Sequence, residues 1–258
     1  MNKAKVLVLG GLRDDALTDL KNICQVDIGP VGHRPEDDRE WVLDHIAEYD
    51  GVIVAKMAFD REMIDAAKNL KIISTYGVGF DHVDVEYAKE KGIVVSNCPK
   101  SVLRPTAELA WTMIMASARR LHYYDHALRE GVFLNADEYD NQGYSIEGKT
   151  LGIVGMGRIG QQVARFAKAF GMTIIYHNRH QVDDQIATEL DAKYVDLDTL
   201  AKEADFVSLH TPATAETYHL VNSDFLKKMK DTAFLINVAR GSLIDGDALI
   251  AALKNGSI

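Results

Sequence analysis

Residues 155–160 have the spacing G-x-G-x-x-G, which is formed by Gly155, Gly157 and Gly160. An apolar run at 150–154 precedes them, and apolar residues at helical spacing follow them as far as Phe170. In a strand–turn–helix unit, the first glycine permits a tight turn and the second lets the backbone approach a pyrophosphate. The third lets the helix pack closely on its strand. Because the N–H groups that begin such a helix bind phosphates, this spacing predicts a dinucleotide site.

The residues after the next strand indicate which dinucleotide to expect. An acidic residue about 20 positions after the first glycine typically binds the ribose 2′-hydroxyl of NAD. Here Asn178 and Arg179 occupy that place, and the first acidic residue is Asp183. A guanidinium group suits a 2′-phosphate, although Arg179 stacked on the adenine or solvated at the edge is the alternative. We therefore expect NADP(H) to be slightly preferred over NAD(H).

Alternating apolar runs and amphipathic stretches indicate which elements position these residues. In the first part of the chain, we expect strands at 5–9, 51–55, 70–74 and 93–96, with helices at 39–48, 61–67 and 83–91. In the second part, we expect strands at 150–154, 173–176, 206–209 and 233–237, with helices at 159–170, 197–204 and 245–254 and a short turn at 225–229. Strands that alternate with helices form parallel sheets covered on both faces. The fold class is therefore α/β, with two doubly wound parallel-sheet domains, the first flavodoxin-like and the second a Rossmann dinucleotide-binding domain.

Prolines at 99 and 105 mark the boundary between the domains, which we place at 1–98 and 99–258. A mostly apolar helix is expected at 106–121, with Pro105 at its start. Residues 123–146 show no clear periodicity. They form either a surface excursion or an arm that packs on a second subunit.

Composition narrows the classes of function. The 258 residues carry a net charge of −9, which argues against a nucleic-acid groove. The first residues do not have the pattern of a signal peptide, and no apolar run approaches the length of a membrane span. The two cysteines, Cys24 and Cys98, suit neither a disulfide framework nor a metal site. We expect a cytoplasmic protein without a metal.

Five segments, in this order and spacing, closely resemble the D-isomer-specific 2-hydroxyacid dehydrogenases of the glyoxylate and hydroxypyruvate reductase type. The segments are 74–81, 105–110, 155–160, 210–212 and 237–241. The resemblance covers essentially the whole chain. It implies a substrate domain at 1–98, a cofactor domain at 99–258, a cleft between them and usually a homodimer. It also implies hydride transfer between NAD(P)H and a small 2-oxo acid, which gives the D-2-hydroxy acid.

The resemblance assigns roles in substrate binding and catalysis. The backbone N–H groups of Val78 and Gly79 would bind the substrate carboxylate, and Lys56 and Met57 would line the pocket. A simple loop lysine is the alternative for Lys56. Arg240 would be catalytic, because its always-charged fork can bind the carboxylate and polarise the 2-oxo group.

The remaining implied roles concern the cofactor. Thr106 would lie near the nicotinamide, and Asn237 and Ala239 would lie beneath its ring. His210 would contact the cofactor, with a role as proton donor as the alternative. The expected cofactor-binding set is Thr106, Gly155, Gly157, Arg158, Ile159, Gly160, Asn178, Arg179, His210, Thr211, Pro212, Asn237 and Ala239.

The family pattern has two further catalytic groups, a glutamate and a histidine that form the acid–base pair. Both would lie downstream of the segment that ends here at Ile258. We expect that the sequence is a C-terminally incomplete representation of a longer protein. The last strands of the Rossmann domain would then be missing from the sequence. A truncation that still folds and a truncated product without activity are the alternatives. A cofactor-binding protein without catalysis is the competing function.

Overall fold

The computed structural model describes residues 3–30, 35–135 and 137–258, with residues 35–37 described by backbone alone. The chain divides into two compact units, Met1–Val102 and Leu103–Ile258. Each unit contains one five-stranded sheet, and all the strand pairs in both sheets are parallel. The prediction of two parallel-sheet α/β domains is therefore confirmed.

The first sheet has the strand order β2-β1-β3-β4-β5, which is the flavodoxin-like order. Its strands are β1 (Lys5–Leu9), β2 (Gln25–Ile28), β3 (Gly51–Val54), β4 (Ile72–Thr75) and β5 (Val94–Ser96), and its helices are α1 (Thr18–Ile23), α2 (Pro35–His45), α3 (Arg61–Ala66) and α4 (Val85–Glu90). Short 3₁₀ turns lie at Asp14–Leu17 and Ile46–Glu48.

The second sheet has the order β10-β9-β6-β7-β8, in which the sequence order reverses between β6 and β9, as in Rossmann folds. Its strands are β6 (Thr150–Val154), β7 (Thr173–His177), β8 (Ala192–Tyr194), β9 (Phe206–Leu209) and β10 (Phe234–Asn237). Its helices are α5 (Leu103–Ala118), α6 (Leu121–Arg129), α7 (Arg158–Ala169), α8 (Asp184–Leu190), α9 (Leu197–Glu203), α10 (Ser223–Lys228) and α11 (Gly246–Asn255). Further 3₁₀ turns lie at Tyr139–Asn141 and Gly241–Leu243.

The core of the second unit lies on both faces of its sheet. One face packs against α5 and α7 around Ile153 and Phe206, and the other packs against α9 and α10 around Val207. Strands buried on both faces need continuous apolar runs, which is why the sequence predicts them well. At Gly152 a Cβ atom would lie only 2.8 Å from Leu200 Cδ2 and from Ala204 Cβ. The glycine therefore allows α9 to pack directly on β6.

The structure corrects several of the predicted elements. The absence of periodicity predicts an irregular segment at 123–146, which is wrong for residues 123–129, because α6 occupies Leu121–Arg129. Arg120, in the left-handed conformation with φ of 53°, separates this helix from α5. Four short elements escaped prediction altogether: α1, β2, α8 and β8. α5 begins at Leu103 rather than at residue 106, with Pro105 in its first turn, where a missing N–H group costs little.

Candidate functional site

The glycine turn after β6 is shaped by contacts within the protein. Gly155 has a φ of +102°, and a Cβ there would lie 2.6 Å from Thr211 N. A Cβ at Gly160 would overlap the carbonyl oxygen of Gly155. At Gly157, by contrast, a Cβ would meet no protein atom within 4 Å. The outer two glycines therefore serve close packing, and the middle one borders open space that a ligand can approach.

The same turn presents the N-terminus of α7. Gly157 is the N-cap and supplies no side-chain oxygen to the first N–H groups of the helix. Arg158, the first helical residue, is exposed, and Ile159 packs against the core. N–H groups without helical partners, together with the positive end of the helix dipole, form an anion-binding site. These donors suit a pyrophosphate.

The end of β7 is hydrogen-bonded to this turn. The Gly155 N–H donates to the His177 carbonyl at 3.0 Å, and the Met156 N–H donates to Asn178 Oδ1 at 2.6 Å. The side-chain oxygen of Asn178 is thus engaged in shaping the turn. Arg179 is exposed, and its guanidinium places a positive charge at this strand end.

The end of β9 lies on the other side of the turn. The His210 N–H donates to the Val154 carbonyl at 2.7 Å, and His210 Nε2 lies 2.8 Å from Ser208 Oγ. Burial lowers the pKa of His210 to about 4. The imidazole is therefore neutral near pH 7, which makes it a poor proton donor. Pro212 begins a loop closed by a hydrogen bond from Thr217 Oγ1 to the Pro212 carbonyl at 2.7 Å.

The end of β10 holds Arg240. Asn237 Oδ1 accepts from the Ala239 N–H at 2.9 Å, and Asn237 Nδ2 donates to the Arg240 carbonyl at 2.9 Å. Arg240 is half-buried, and its Nη1 donates to the Ala239 carbonyl at 3.1 Å. Because β10 pairs with β9 through Asn237 and Leu209, this turn lies beside the His210 segment. The glycine turn and the ends of β7, β9 and β10 thus meet at one sheet edge.

Thr106 occupies the first turn of α5, next to the fully buried Ala107. The buried side of α5 packs against α7 and β10. Thr106 therefore lies on a helix that contacts both α7, which begins at the glycine turn, and β10, which precedes the Arg240 turn.

In the first unit, Val78 and Gly79 lie in the loop after β4. The carbonyls of this loop face inward, since Asn97 Nδ2 donates to the Val78 carbonyl at 2.8 Å and the Cys98 N–H donates to the Gly77 carbonyl at 2.9 Å. Within the described parts of the chain, no group accepts a hydrogen bond from the N–H of Val78 or Gly79. Successive backbone N–H groups without acceptors form an anion-binding nest. Asn97 directly follows β5, and no sequence motif revealed its contact with this loop.

Lys56 and Met57 follow β3 at the same edge of the first sheet. Their loop is joined to the loop after Gly79 by hydrogen bonds from the Phe59 N–H to the His82 carbonyl, at 2.7 Å, and from the Asp84 N–H to the Phe59 carbonyl, at 2.9 Å. Met57 packs on the core, whereas Lys56 is exposed. The structure therefore brings these two residues to the edge that carries Val78 and Gly79.

Metal-binding clusters and membrane spans are both absent from residues 3–30, 35–135 and 137–258. These residues contain no group of three or more histidine, cysteine or acidic side chains that could hold a metal ion. No helix in the same ranges has the length and apolar character needed to cross a bilayer. Cys24 and Cys98 are both free thiols.

Comparison with known proteins decides the family. The family model "D-isomer specific 2-hydroxyacid dehydrogenase, NAD binding domain" matches residues 111–258. The chain belongs to the D-isomer specific 2-hydroxyacid dehydrogenase family. It is therefore an oxidoreductase that acts on CH–OH groups with NAD(P), as the sequence predicted.

Relatives of this dehydrogenase cover most of its length. It is 39% identical to the glyoxylate reductase of Thermococcus onnurineus over 261 residues, which span 99% of this chain and 77% of the relative. Among solved structures, it resembles the TT0316 protein of Thermus thermophilus, with a TM-score of 0.87 and 39% identity over 97% of this chain and 78% of that one. It also resembles the D-lactate dehydrogenase of Aquifex aeolicus in complex with NAD and lactic acid. That match has a TM-score of 0.85 and 30% identity over 98% of this chain and 74% of that one.

Proposed function

We propose that this dehydrogenase reduces a small 2-oxo acid, with glyoxylate and hydroxypyruvate as the leading candidates, and uses NADPH somewhat better than NADH. The observation that carries the proposal is the meeting of the glycine turn, the His210 segment and the Arg240 turn at one sheet edge. When bound, the dinucleotide supplies the hydride. The glyoxylate reductase activity of the Thermococcus relative supports the choice of substrate.

Each unit contributes its own groups to this chemistry. In Met1–Val102, the N–H groups of Val78 and Gly79 bind a carboxylate, and Lys56 and Met57 line the loop beside them. In Leu103–Ile258, the Arg240 guanidinium is suited to bind a carboxylate and to polarise a 2-oxo oxygen as negative charge develops there. We accordingly assign the substrate-binding role to the domain predicted at 1–98 and the cofactor-binding role to the domain at 99–258.

The preference for NADPH rests on the charges around the glycine turn. Arg158 and Arg179 are both exposed there, and residues 178–182 contain no carboxylate that would repel a 2′-phosphate. Asn178 contributes by shaping the turn, because its side-chain oxygen accepts a hydrogen bond from the Met156 N–H. The guanidinium of Arg179 is the group that binds the 2′-phosphate.

The proposal is tested by following NADPH absorbance with glyoxylate, hydroxypyruvate and pyruvate. We expect turnover in wild type, a loss of several orders of magnitude in Arg240→Ala and a partial loss in Arg240→Lys, with NADPH affinity preserved in both variants. Tight NADPH binding without turnover of any of the three acids would contradict the proposal. That result would support the competing function, a cofactor-binding protein.

We also propose that the protein is a homodimer in the cytoplasm, in which residues 123–146 form the arm that packs on the second subunit. Phe133 and Tyr139 are 86% and 87% exposed, although both are large and apolar. Their segment is well anchored, because Asn141 Nδ2 donates to the Asn135 carbonyl and Tyr124 Oη donates to the Asn141 carbonyl, each at 2.9 Å. An ordered surface that exposes large apolar side chains is typical of a protein–protein contact. A second copy of this chain is the partner that the family resemblance favours.

A further inference from the structure

Ser208 is a buried polar residue in a strand whose other residues are apolar. It is fully buried in β9, and the only partner of its hydroxyl within the described residues is His210 Nε2, at 2.8 Å. Alternate residues of a strand face the same side, so Ser208 and His210 share the face of Phe206. Phe206 belongs to the cluster that packs under α7, the helix that begins at the glycine turn. The pair therefore lies on the α7 side of the sheet.

The direction of this hydrogen bond follows from the balance of donors and acceptors. If His210 Nε2 carried the proton, it would donate to Ser208 Oγ, and the buried Ser208 hydroxyl would have no acceptor. If Ser208 donates to Nε2, its hydroxyl is satisfied and the proton of the neutral imidazole lies on Nδ1. Buried hydroxyl groups without partners are costly. The second arrangement is therefore favoured, and it makes Nδ1 a donor.

His210 Nδ1 is itself buried and has no hydrogen-bond partner among the described residues. The backbone of the same residue touches the glycine turn, since a Cβ at Gly155 would lie 2.7 Å from the His210 carbonyl carbon. A buried N–H group without an acceptor is destabilising, so any ligand oxygen that reaches it gains affinity from the recovered hydrogen bond. Dinucleotides offer phosphate and ribose oxygens at such turns.

We propose that Ser208 is a positioning residue that holds His210 as an Nδ1–H donor to a phosphate or ribose oxygen of the bound dinucleotide. This inference rests on the proposed function, in which the second unit binds NAD(P)H. It adds a residue, Ser208, that has no direct part in the proposed binding set. It also assigns the His210 side chain a role distinct from proton donation to the substrate.

Two replacements of His210 separate the functions of its two nitrogens. The amide of asparagine can place an N–H group where Nδ1 lies, whereas glutamine can reach toward Ser208 in place of Nε2. Dissociation constants for NADPH and NADH are measured by nicotinamide fluorescence, and thermal unfolding verifies that each variant is folded. We expect His210→Asn to bind within about threefold of wild type, and His210→Gln and Ser208→Ala to bind about tenfold more weakly, equivalent to about 1.4 kcal/mol.

The ring nitrogens provide a second measurement that a merely structural role would not affect. ¹⁵N NMR of the histidine side chains, with His210→Asn for assignment, should show the proton of His210 on Nδ1 in wild type and a changed tautomer balance in Ser208→Ala. A proton on Nε2 in wild type, or folded His210→Gln and Ser208→Ala variants that bind like wild type, would overturn this inference alone. A wild-type protein that binds neither NADPH nor NADH would overturn the proposed function and this inference with it.

Discussion

The side-chain amide of Asn237 donates a hydrogen bond to the main-chain carbonyl of Arg240 at 2.9 Å. The same side chain accepts from the Ala239 N–H, so one residue spans the turn that presents the guanidinium. The main chain that carries the Arg240 side chain is therefore held by a neighbour three positions earlier. Small displacements of a group that stabilises developing charge reduce turnover strongly.

We expect Asn237→Ala to lower kcat by about 10- to 100-fold, because the Arg240 turn loses both side-chain bonds. Asn237→Asp retains the acceptor for Ala239 and loses only the donor to Arg240, so its kcat should lie between those of Asn237→Ala and wild type. Steady-state kinetics with glyoxylate and NADPH measures both variants. Unchanged kcat in a folded Asn237→Ala variant would show that this turn does not orient the arginine.

The glycine turn offers a matched pair of substitutions. Gly155→Ala should destabilise the protein by about 2 kcal/mol or more, since its φ is positive and the new Cβ would press on Thr211. Gly157→Ala adds a Cβ into open space, so its stability should remain within about 1 kcal/mol of wild type. That methyl group occupies the approach to the pyrophosphate, and NADPH affinity should fall at least about tenfold. Urea unfolding and fluorescence titration measure the two effects, and a Gly157→Ala variant that binds normally would place the pyrophosphate elsewhere.

Arg179 should determine the preference between the two dinucleotides. We expect Arg179→Ala to raise the KM for NADPH by about tenfold and to leave that for NADH within about threefold, because only NADPH carries the 2′-phosphate. Arg165→Ala is the control, since Arg165 lies on α7 and pairs with Glu189 at 2.9 Å. A strong NADH preference in wild type that persists in Arg179→Asp would refute the assignment.

Asp205 should make stability depend on pH. Burial acts to raise its pKa, but the bonds to Lys230 and to the Thr150 N–H, each 2.8 Å long, outweigh burial and hold the pKa of Asp205 below its ordinary value. A carboxylate with a depressed pKa stabilises the fold above its unfolded pKa of about 3.9, and this stabilisation is lost as pH falls through the lower, folded pKa.

We expect Asp205→Asn to lose about 1–3 kcal/mol of unfolding free energy at pH 7 and less below pH about 3. Asp198→Asn is the matched control, because Asp198 pairs with Lys228 at the surface and should contribute at most about 1 kcal/mol. Urea unfolding at both pH values provides the comparison. Equal losses in the two variants at pH 7 would mean that the Asp205 bonds contribute no more than a surface pair.

The exposed aromatic residues predict an effect on assembly. Phe133→Ser combined with Tyr139→Ser should shift the protein from dimer to monomer in analytical ultracentrifugation, because the contact loses two large apolar side chains. The double variant Ile23→Ser and Ile28→Ser, at exposed apolar positions of the first unit, is the control and should leave the dimer intact. A wild-type monomer at micromolar concentration would contradict the homodimer.

Much of this architecture could be predicted because it is encoded locally. The glycine spacing at 155–160 and the apolar runs of β6 and β9 depend on neighbours in sequence, so the pattern indicates them directly. β2 escaped because it is an edge strand of only four residues, with no side chain fully buried. α6 escaped because Leu121 and Leu128 are exposed, so no apolar stripe faces a core.

The bonding within the site could be predicted only in part. Asparagine before a turn commonly bonds to the backbone two residues on, so the Asn237–Ala239 contact has a recognisable signal. The Asn178–Met156 and Asn97–Val78 bonds join residues about 20 positions apart. They depend on which strands lie next to each other in the sheet, which no local pattern reveals. The neutral state of the His210 imidazole likewise depends on its burial in the folded protein.

Parallel strands divide the loops of each sheet into two groups. Loops that leave the strands carry the proposed chemistry, such as those after β4, β6 and β10, whereas loops that enter the strands at the opposite rim carry none of it. The turn at Lys91–Gly92 before β5 is an example of the second group. That rim is consequently the place for a fluorophore, an affinity tag or surface immobilisation in a biosensor, because attachment there leaves clear the rim that carries the proposed chemistry.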